Sequence, residues 1–291
     1  MRAARPWLAA AVVVLSLRPF AADAGAPRLD DLAKDHFGRV TTPAVLPPRA
    51  VGSYARGCVT GAVALPPDGP SWQAMRLSRN RNWGHPMLVE FVQDLAAAAP
   101  ELGLGGILVG DLSQPRGGPM PYGHASHQSG LDVDIWLREM PARRLSREER
   151  ETYEFRTVIN AAKDAADPER LTPAFMALIA TAAGDGRVER IFVHPLIKHA
   201  LCAAVWDDRT FLGKVRPWYG HDAHFHVRLG CPPDSPACRA QRPPPPGEGC
   251  GGQLDYWFTQ APYTPDPDAK PSPPLTVARM PPACRALIGA D

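Results

Sequence analysis

Two stretches of the sequence place histidines and carboxylates at spacings that suit a metal site. The first, GHASHQSGLDVDIW, covers residues 123–136. From 131 to 136 it alternates apolar and polar residues, as in a strand with one buried face. Fully extended, His127 and Asp134 would lie about 23 Å apart, too far to share a metal. A turn at Ser129-Gly130 would fold His127 back over the strand and let the two converge.

The second stretch, WYGHDAHFHVRL over 218–229, supplies the further ligand that such a site needs. His224 and His226 lie two residues apart, so a strand would present both on one face. Catalytic zinc is held by three nitrogen or oxygen ligands with one position left for water. The spacing therefore predicts zinc held by His127, Asp134 and one of these two histidines. The other histidine would act as a general base or stabilise an oxyanion.

Asp132 and Asp134 share one face of the first strand. Asp132 is a candidate for orienting a ligand histidine from behind the metal. The alternative interpretation is a solvated carboxylate with no role in the site.

The beginning of the chain has the features of an export signal. Arg2 and Arg5 precede an apolar run at 7–17, and Ala22-Asp23-Ala24 suits signal cleavage. We therefore expect a signal peptide over 1–24 and a soluble periplasmic protein with no membrane span after cleavage. The formal net charge is only +2 and no basic stripe occurs, which argues against a nucleic-acid partner.

All six cysteines lie beyond this signal, and an even number in an exported chain predicts three disulfides. Cys231 and Cys238 bracket a short loop and can pair with each other. The other four cysteines allow three pairings that spacing alone leaves open. No CxxC motif occurs, which argues against a thiolate zinc site.

The elements that must position the two stretches alternate between helix and strand. Helices are predicted over 85–102, from a capping box at Ser146 and Glu149 through about residue 167, and from Thr172-Pro173 to Gly184. Strands are predicted over 105–112 and 190–195.

No dinucleotide-binding or phosphate-loop signature accompanies this alternation. We therefore expect an α+β fold with a central, mostly antiparallel sheet flanked by helices. An irregular N-terminal arm at 25–70 and a proline- and glycine-rich tail at 243–291 would pack on a central domain at 71–242. Disulfides would tie both arms to the body.

Together with these stretches, several further segments resemble the penicillin-insensitive murein endopeptidases. This family is related to the lysostaphin-type and D-Ala-D-Ala zinc peptidases. The resemblance covers nearly the whole mature chain. It includes the segments SRNRNWGHP (78–86), GDLSQPRGGPMPYGH (110–124), RIFVHPLIK (190–198) and KVRPW (214–218).

The resemblance implies a zinc site and its ligands. It implies zinc ligation by His127, Asp134 and His226. His124 would lie beside the metal as a candidate ligand for a second ion. The region after Arg147 offers no histidine partner for that ion, so one zinc ion is expected.

The resemblance also implies roles for other residues. His224 would be catalytic, and His221 would assist water activation or stabilise the transition state. The D-Ala-D-Ala peptidases carry a glutamate base just before the last ligand, and this chain has none there, so a histidine must do that work. Disulfides would join Cys58 with Cys284, Cys202 with Cys250, and Cys231 with Cys238.

The implied activity is hydrolysis of D-alanyl–meso-diaminopimelyl crosslinks in peptidoglycan, insensitive to β-lactams. Arg116 and Arg228 are candidate contacts for the carboxylates of the stem peptides, because guanidinium pairs bidentately with carboxylate. Wall-remodelling proteins are candidate partners. The alternatives are a non-catalytic peptidoglycan-binding or hydrolase-activating module and, among enzymes, a D,D-carboxypeptidase.

Overall fold

A computed structural model describes residues 27–270 and 272–288. The predicted signal peptide lies outside these residues. Over the described residues the strands are β1 (Arg49–Ser53), β2 (Arg56–Thr60), β3 (Val63–Ala64), β4 (Trp72–Ala74), β5 (Trp83–Gly84), β6 (Ile107–Val109), β7 (Asp132–Trp136), β8 (Val188–Val193), β9 (Val215–Pro217) and β10 (His224–Leu229). The α-helices are α1 (Ala33–Phe37), α2 (Pro86–Ala98), α3 (Arg147–Thr152), α4 (Pro173–Gly184), α5 (Pro195–Ala203), α6 (Gly252–Asp255) and α7 (Pro282–Arg285).

Six strands form the central sheet, in the order β4-β6-β7-β10-β8-β9. The pairs from β6 through β7 and β10 to β8 are antiparallel, and the two outermost pairs are parallel. This confirms the predicted α+β class with a mostly antiparallel sheet. None of the helices in the described part of the chain is long and apolar enough to cross a bilayer.

The two faces of the sheet differ in chemistry because the strand register aligns residues of like character. Directly paired residues project from the same face of a sheet. One row of paired residues is polar and aromatic: Asp134, His226, Phe192 and Arg216 on β7, β10, β8 and β9. The next row, on the opposite face, is apolar: Val133, Val227, Ile191 and Val215.

The apolar face is buried against α2, α4 and α5 in one continuous core. Two of these helices begin where the sequence predicted, with proline in the first turn. The ring Nδ1 of His85 accepts from the amide of Met87 at the start of α2. Thr172 caps α4 in the same way through the amide of Phe175.

The predicted long helix after Ser146 is wrong in its length. The capping box between Ser146 and Glu149 is present, but α3 ends at Thr152. The following segment instead lies over the polar face, where the Phe155 ring contacts the rings of Trp136 and His224. These tertiary contacts override helix propensity, which is a weak preference for each residue.

The N-terminal arm is more regular than the sequence suggested, because it contains the hairpin β1-β2. This hairpin and the tail bury a second apolar cluster that includes Phe37, Val51 and Met280. All three disulfide pairings implied by the family resemblance are confirmed: Cys58–Cys284, Cys202–Cys250 and Cys231–Cys238.

The Cys58–Cys284 bond should contribute most to stability because it closes the longest loop, with a sequence separation of 226. Replacing both residues by alanine should lower the free energy of unfolding by about 2–5 kcal/mol. The matched control is the alanine pair at Cys231 and Cys238, whose separation is 7 and whose loss should be smaller. Urea unfolding measures both, and an equal or larger loss in the control would contradict this account.

Candidate metal centre

Three side-chain atoms meet above the polar face of the sheet. Nε2 of His127 lies 3.2 Å from Nδ1 of His226 and 3.4 Å from Oδ1 of Asp134. Nδ1 of His226 lies 3.3 Å from the same Oδ1. Tetrahedral ligands about 2.0–2.2 Å from zinc are about 3.3–3.5 Å from one another. The triangle therefore fits one face of a tetrahedral zinc site.

The chemistry of these atoms also fits a cation. Oδ1 of Asp134 is buried and has no hydrogen-bond donor among the described residues. Burial alone would raise the pKa of this carboxyl group, but the neighbouring His224 and His127 hold it well below its usual range. The group is therefore an ionised carboxylate whose inner oxygen has an open coordination position.

His127 is aimed at this point by the backbone around it. The chain turns back at Gly130, whose φ of 71° is in the left-handed region, so the predicted fold-back is present. The amide of His127 donates to Oδ2 of Asp132 over 2.9 Å. Its ring Nδ1 donates to the carbonyl of Leu112 over 2.7 Å, which leaves the lone pair of Nε2 free for a metal.

Asp132 also lies behind His226, in the position that the orienting interpretation requires. Its Oδ1 is 3.1 Å from Nε2 of His226, so Nδ1 of that ring faces the site. Arg228 donates to both carboxylate oxygens, over 2.8 and 3.3 Å. Although burial opposes ionisation, Arg228 and His226 keep the pKa of Asp132 far below its usual range.

His124 approaches the triangle from the side. Its Nε2 is 3.6 Å from Oδ2 of Asp134, and the ligand atoms of His124, His127 and Asp134 lie within 4.8 Å of one another. The same Nε2 is 3.1 Å from Oδ2 of Asp111. Asp111 was not among the site residues predicted from the sequence, although its position soon after the apolar run at 107–109 was a usable signal.

Asp111 is buried and draws several cations together. Arg79 and Arg81 donate to Oδ2 over 3.0 and 2.9 Å. Burial would raise the pKa of Asp111, but its bond to His124 and the two guanidinium groups lower it to about 2. Asp111 is thus a carboxylate that fixes His124 beside the triangle.

His224 and His221 form a pair of neutral imidazoles on the open side. Nε2 of His224 is 3.6 Å from Oδ1 of Asp134. The ring centroids of His221 and His224 are 4.8 Å apart. Burial, then repulsion from His224 and His226 in their protonated forms, lowers the pKa of His221 to about 3. Burial also lowers the pKa of His224. Nδ1 of His221 donates to the carbonyl of Tyr219 over 2.6 Å, so Nε2 can accept a proton.

A cavity of about 340 Å³ opens beside His221 and His226. Its lining includes the aromatic rings of Phe192, Trp218 and Trp257. This aromatic wall was not predicted from the sequence. Alternation in RIFV and VRP at 190–193 and 215–217 was the available signal, since it sets Arg190, Phe192 and Arg216 on one face. Trp257 gave no such signal, because it enters from the tail.

The two arginines proposed as substrate contacts lie in different places. Arg116 donates to the carbonyls of Thr42 and Leu287 and is not among the residues that line the cavity. Its donors join the arm to the tail, so the structure does not support a substrate contact there. Arg228 does line the cavity, but Asp132 and Gln241 accept from its guanidinium. Its substrate contact stays a prediction.

The chain is similar to known proteins over most of its length. The family model described as penicillin-insensitive murein endopeptidase matches residues 50–289. A protein of that name from Yersinia enterocolitica is 41% identical over 289 residues, covering 98% of this chain and 97% of the relative. A Salmonella newport protein of the same name is 43% identical over 258 residues, 88% and 92% of the two chains.

This chain belongs to the penicillin-insensitive murein endopeptidase family. In this member of the family the matched region starts in β1 and extends past α7, so it includes the hairpin, the site strands and the disulfide-bonded tail. The murein endopeptidase match therefore covers every residue of the metal centre described above.

Zinc affinity should depend on pH through His226. Burial alone would lower the pKa of His226, but the carboxylates of Asp132 and Asp134 raise it above 6.5. In the metal-free protein this ring therefore keeps its proton to a higher pH than an ordinary histidine. Because zinc must displace that proton, affinity should fall as the pH drops through the raised pKa. Competition titration with a chromogenic chelator from pH 5.5 to 8 measures this.

Asp132→Asn should change the same titration in two ways. Affinity at pH 8 should fall about 10- to 100-fold, because the ring loses its orienting carboxylate. The pKa of His226 should also be lower in this variant, so the acid-induced loss of zinc affinity should begin at a lower pH. Asp164→Asn, in the exposed loop after Asn160, is the matched control. Unchanged affinity in Asp132→Asn would contradict the orienting role.

Proposed function

We propose that this protein is a zinc-dependent murein endopeptidase that hydrolyses D-alanyl–meso-diaminopimelyl crosslinks in peptidoglycan. The observation that carries the proposal is the triangle of His127, Asp134 and His226, with two neutral histidines on its open side. Membership of the family supports it, since its named relatives are penicillin-insensitive murein endopeptidases.

In this proposal His127, Asp134 and His226 hold one zinc ion. A bound zinc ion supplies Lewis-acid polarisation of the scissile carbonyl and a water of lowered pKa. His124 is held by Asp111 and is the candidate for a further ligand. A second ion is not expected, because its ligands beside His124 would be Asp111 and two residues already assigned to the first ion, His127 and Asp134.

The two remaining histidines handle protons. His224 accepts the proton of the attacking water and returns it to the leaving amine, because its ring is neutral and borders Asp134. His221 lies against His224 and shares this work as a neutral hydrogen-bonding partner. No side-chain nucleophile is acylated in this scheme. β-lactams, which act by acylating a serine, should therefore not inhibit it.

The proposal includes export and domain organisation. Residues 1–24 would act as a cleaved signal, and the enzyme would work in the periplasm, where disulfides form. Residues 71–242 would form the peptidase domain, with the arm at 25–70 and the tail at 243–291 packed on it. Wall-remodelling proteins would be its protein partners.

Two alternative functions predict different outcomes with crosslinked peptidoglycan. A non-catalytic wall-binding module would need no intact ligand set, whereas this chain has one. A D,D-carboxypeptidase would release terminal D-alanine and leave crosslinks uncut. The endopeptidase should convert crosslinked dimers to monomers.

Incubation of purified protein with crosslinked sacculi tests the activity. We expect mass spectrometry to show dimeric muropeptides converted to monomers. A chelator should abolish the conversion, and a β-lactam should leave it unchanged. Unaltered muropeptides with stoichiometric zinc bound would instead favour the binding module.

Substitutions separate metal ligands from proton carriers. Asp134→Ala should lose bound zinc, because the carboxylate is the anionic ligand of the triangle. His224→Ala should keep most of its zinc and lose about 10²- to 10⁴-fold in turnover. Metal analysis and muropeptide release measure the two effects. An empty site in His224→Ala would make His224 a ligand and reverse the assignment.

A further inference from the structure

Three arginines surround the Phe192 ring on the floor of the cavity. Arg190 lies two residues before Phe192 on β8, and Arg216 pairs directly with Phe192 from β9. Arg228 pairs with Arg190 from β10, and its Cζ is 5.1 Å from the centroid of the Phe192 ring. All three line the cavity. Like charges are costly at such spacing unless carboxylates balance them.

Only one of the three arginines has an anionic partner among the described residues. Arg228 is paired with Asp132. Arg190 and Arg216 form no ion pair within residues 27–270 and 272–288, and their acceptors are neutral: the carbonyl of Arg242 and Oε1 of Gln253. The cavity therefore carries two guanidinium groups without a contacting carboxylate among the described residues; Glu189 attracts Arg190 only from a distance, since its carboxylate accepts from Tyr54.

Both guanidinium groups also have donors without an acceptor. Nε of Arg190 and Nη1 of Arg216 are buried and have no hydrogen-bond partner in the described residues. A buried donor left unpaired costs free energy, and pairing a guanidinium with a carboxylate recovers it. The unsatisfied donors and the lack of a contacting carboxylate among the described residues point to the same missing group, an anion.

The strand register fixes the distance between this positive end of the cavity and the metal centre. His226 pairs with Phe192, so Arg190 is the diagonal neighbour of His226 on the same face. Diagonal neighbours lie about 7–8 Å apart, within reach of an arginine side chain. A carboxylate bound there could belong to the same substrate as a carbonyl held at the His127–Asp134–His226 triangle, with only a few bonds between them.

We propose that Arg190 and Arg216 bind the substrate carboxylate on the diaminopimelyl carbon that carries the scissile nitrogen. This subsite rests on the proposed function, because it assigns the leaving side of the crosslink to the cavity. In such a crosslink that carboxylate lies next to the bond that is cut. Two guanidinium groups beside the metal centre would therefore fix the register of the crosslink before cleavage.

A pair of defined substrates tests the subsite without any substitution. They are crosslinked dimers with this carboxylate either free or converted to a primary amide. The wild-type protein should cleave the free acid with a kcat/KM about 10- to 100-fold higher, the range expected for a charge-assisted hydrogen bond. Equal kcat/KM for acid and amide would overturn the subsite and leave the endopeptidase function standing.

Substitutions then assign the preference to residues. In the double variant Arg190→Gln/Arg216→Gln, kcat/KM for the acid should exceed that for the amide by only about threefold or less. The change should come mainly from a higher KM for the acid. Zinc content should match the wild type, which shows that the site is folded. Arg56→Gln, exposed on β2, removes a charge outside the cavity and should keep the full ratio. A kcat/KM ratio of acid to amide as high as in the wild type would overturn the assignment to Arg190 and Arg216.

Binding of the released product separates this subsite from catalysis. Calorimetry with the diaminopimelyl peptide, as free acid or amide, needs no turnover. Tighter binding of the acid, lost in the double variant, supports the subsite even if sacculi are not cleaved. Equal binding of acid and amide contradicts the subsite even if sacculi are cleaved.

Discussion

The structure of the metal centre depends on one buried carboxylate, that of Asp132. It accepts the amide of His127, lies against the ring of His226 and pairs with Arg228. These contacts fix two of the proposed ligands from opposite sides. Removing one partner from such a buried pair typically costs about 3–5 kcal/mol, because the other charge is left unbalanced. The carboxylate therefore makes the positions of both histidines interdependent before any metal binds.

The sheet separates this charged network from the core. Residues of β7, β10, β8 and β9 alternate so that one face joins the apolar core and the other carries the site. Because a one-residue slip would exchange the two faces, burial of the apolar face fixes the register. The same constraint that forms the core therefore sets the proposed metal ligands beside the cavity that Arg190 and Arg216 line.

The tail completes the site and is itself held from within the body. Lys198 of α5 is fully buried, and its Nζ donates to the carbonyls of Leu212 and Glu248. Burial, reinforced by Arg216, lowers the pKa of this lysine to about 7. With the Cys202–Cys250 bond, this contact fixes the segment that carries Gln253 and Trp257 against the cavity. A proline- and glycine-rich tail thereby forms part of the cavity wall.

The sequence by itself determined the features that local pattern and residue chemistry control. Period-two alternation identified the strands that carry Asp134 and His226, the turn at Gly130 accounted for His127, and proline at the first turn placed α2 and α4. Family resemblance supplied the disulfide pairs. Only the tertiary structure decided what distant segments do to one another. Tertiary contacts end α3 early and place the Phe155 ring against His224. They also bring Asp111 to His124 and hold Arg116 at the tail, away from the cavity. These outcomes depend on contacts between residues far apart in the chain, and local periodicity and propensity carry no information about such contacts.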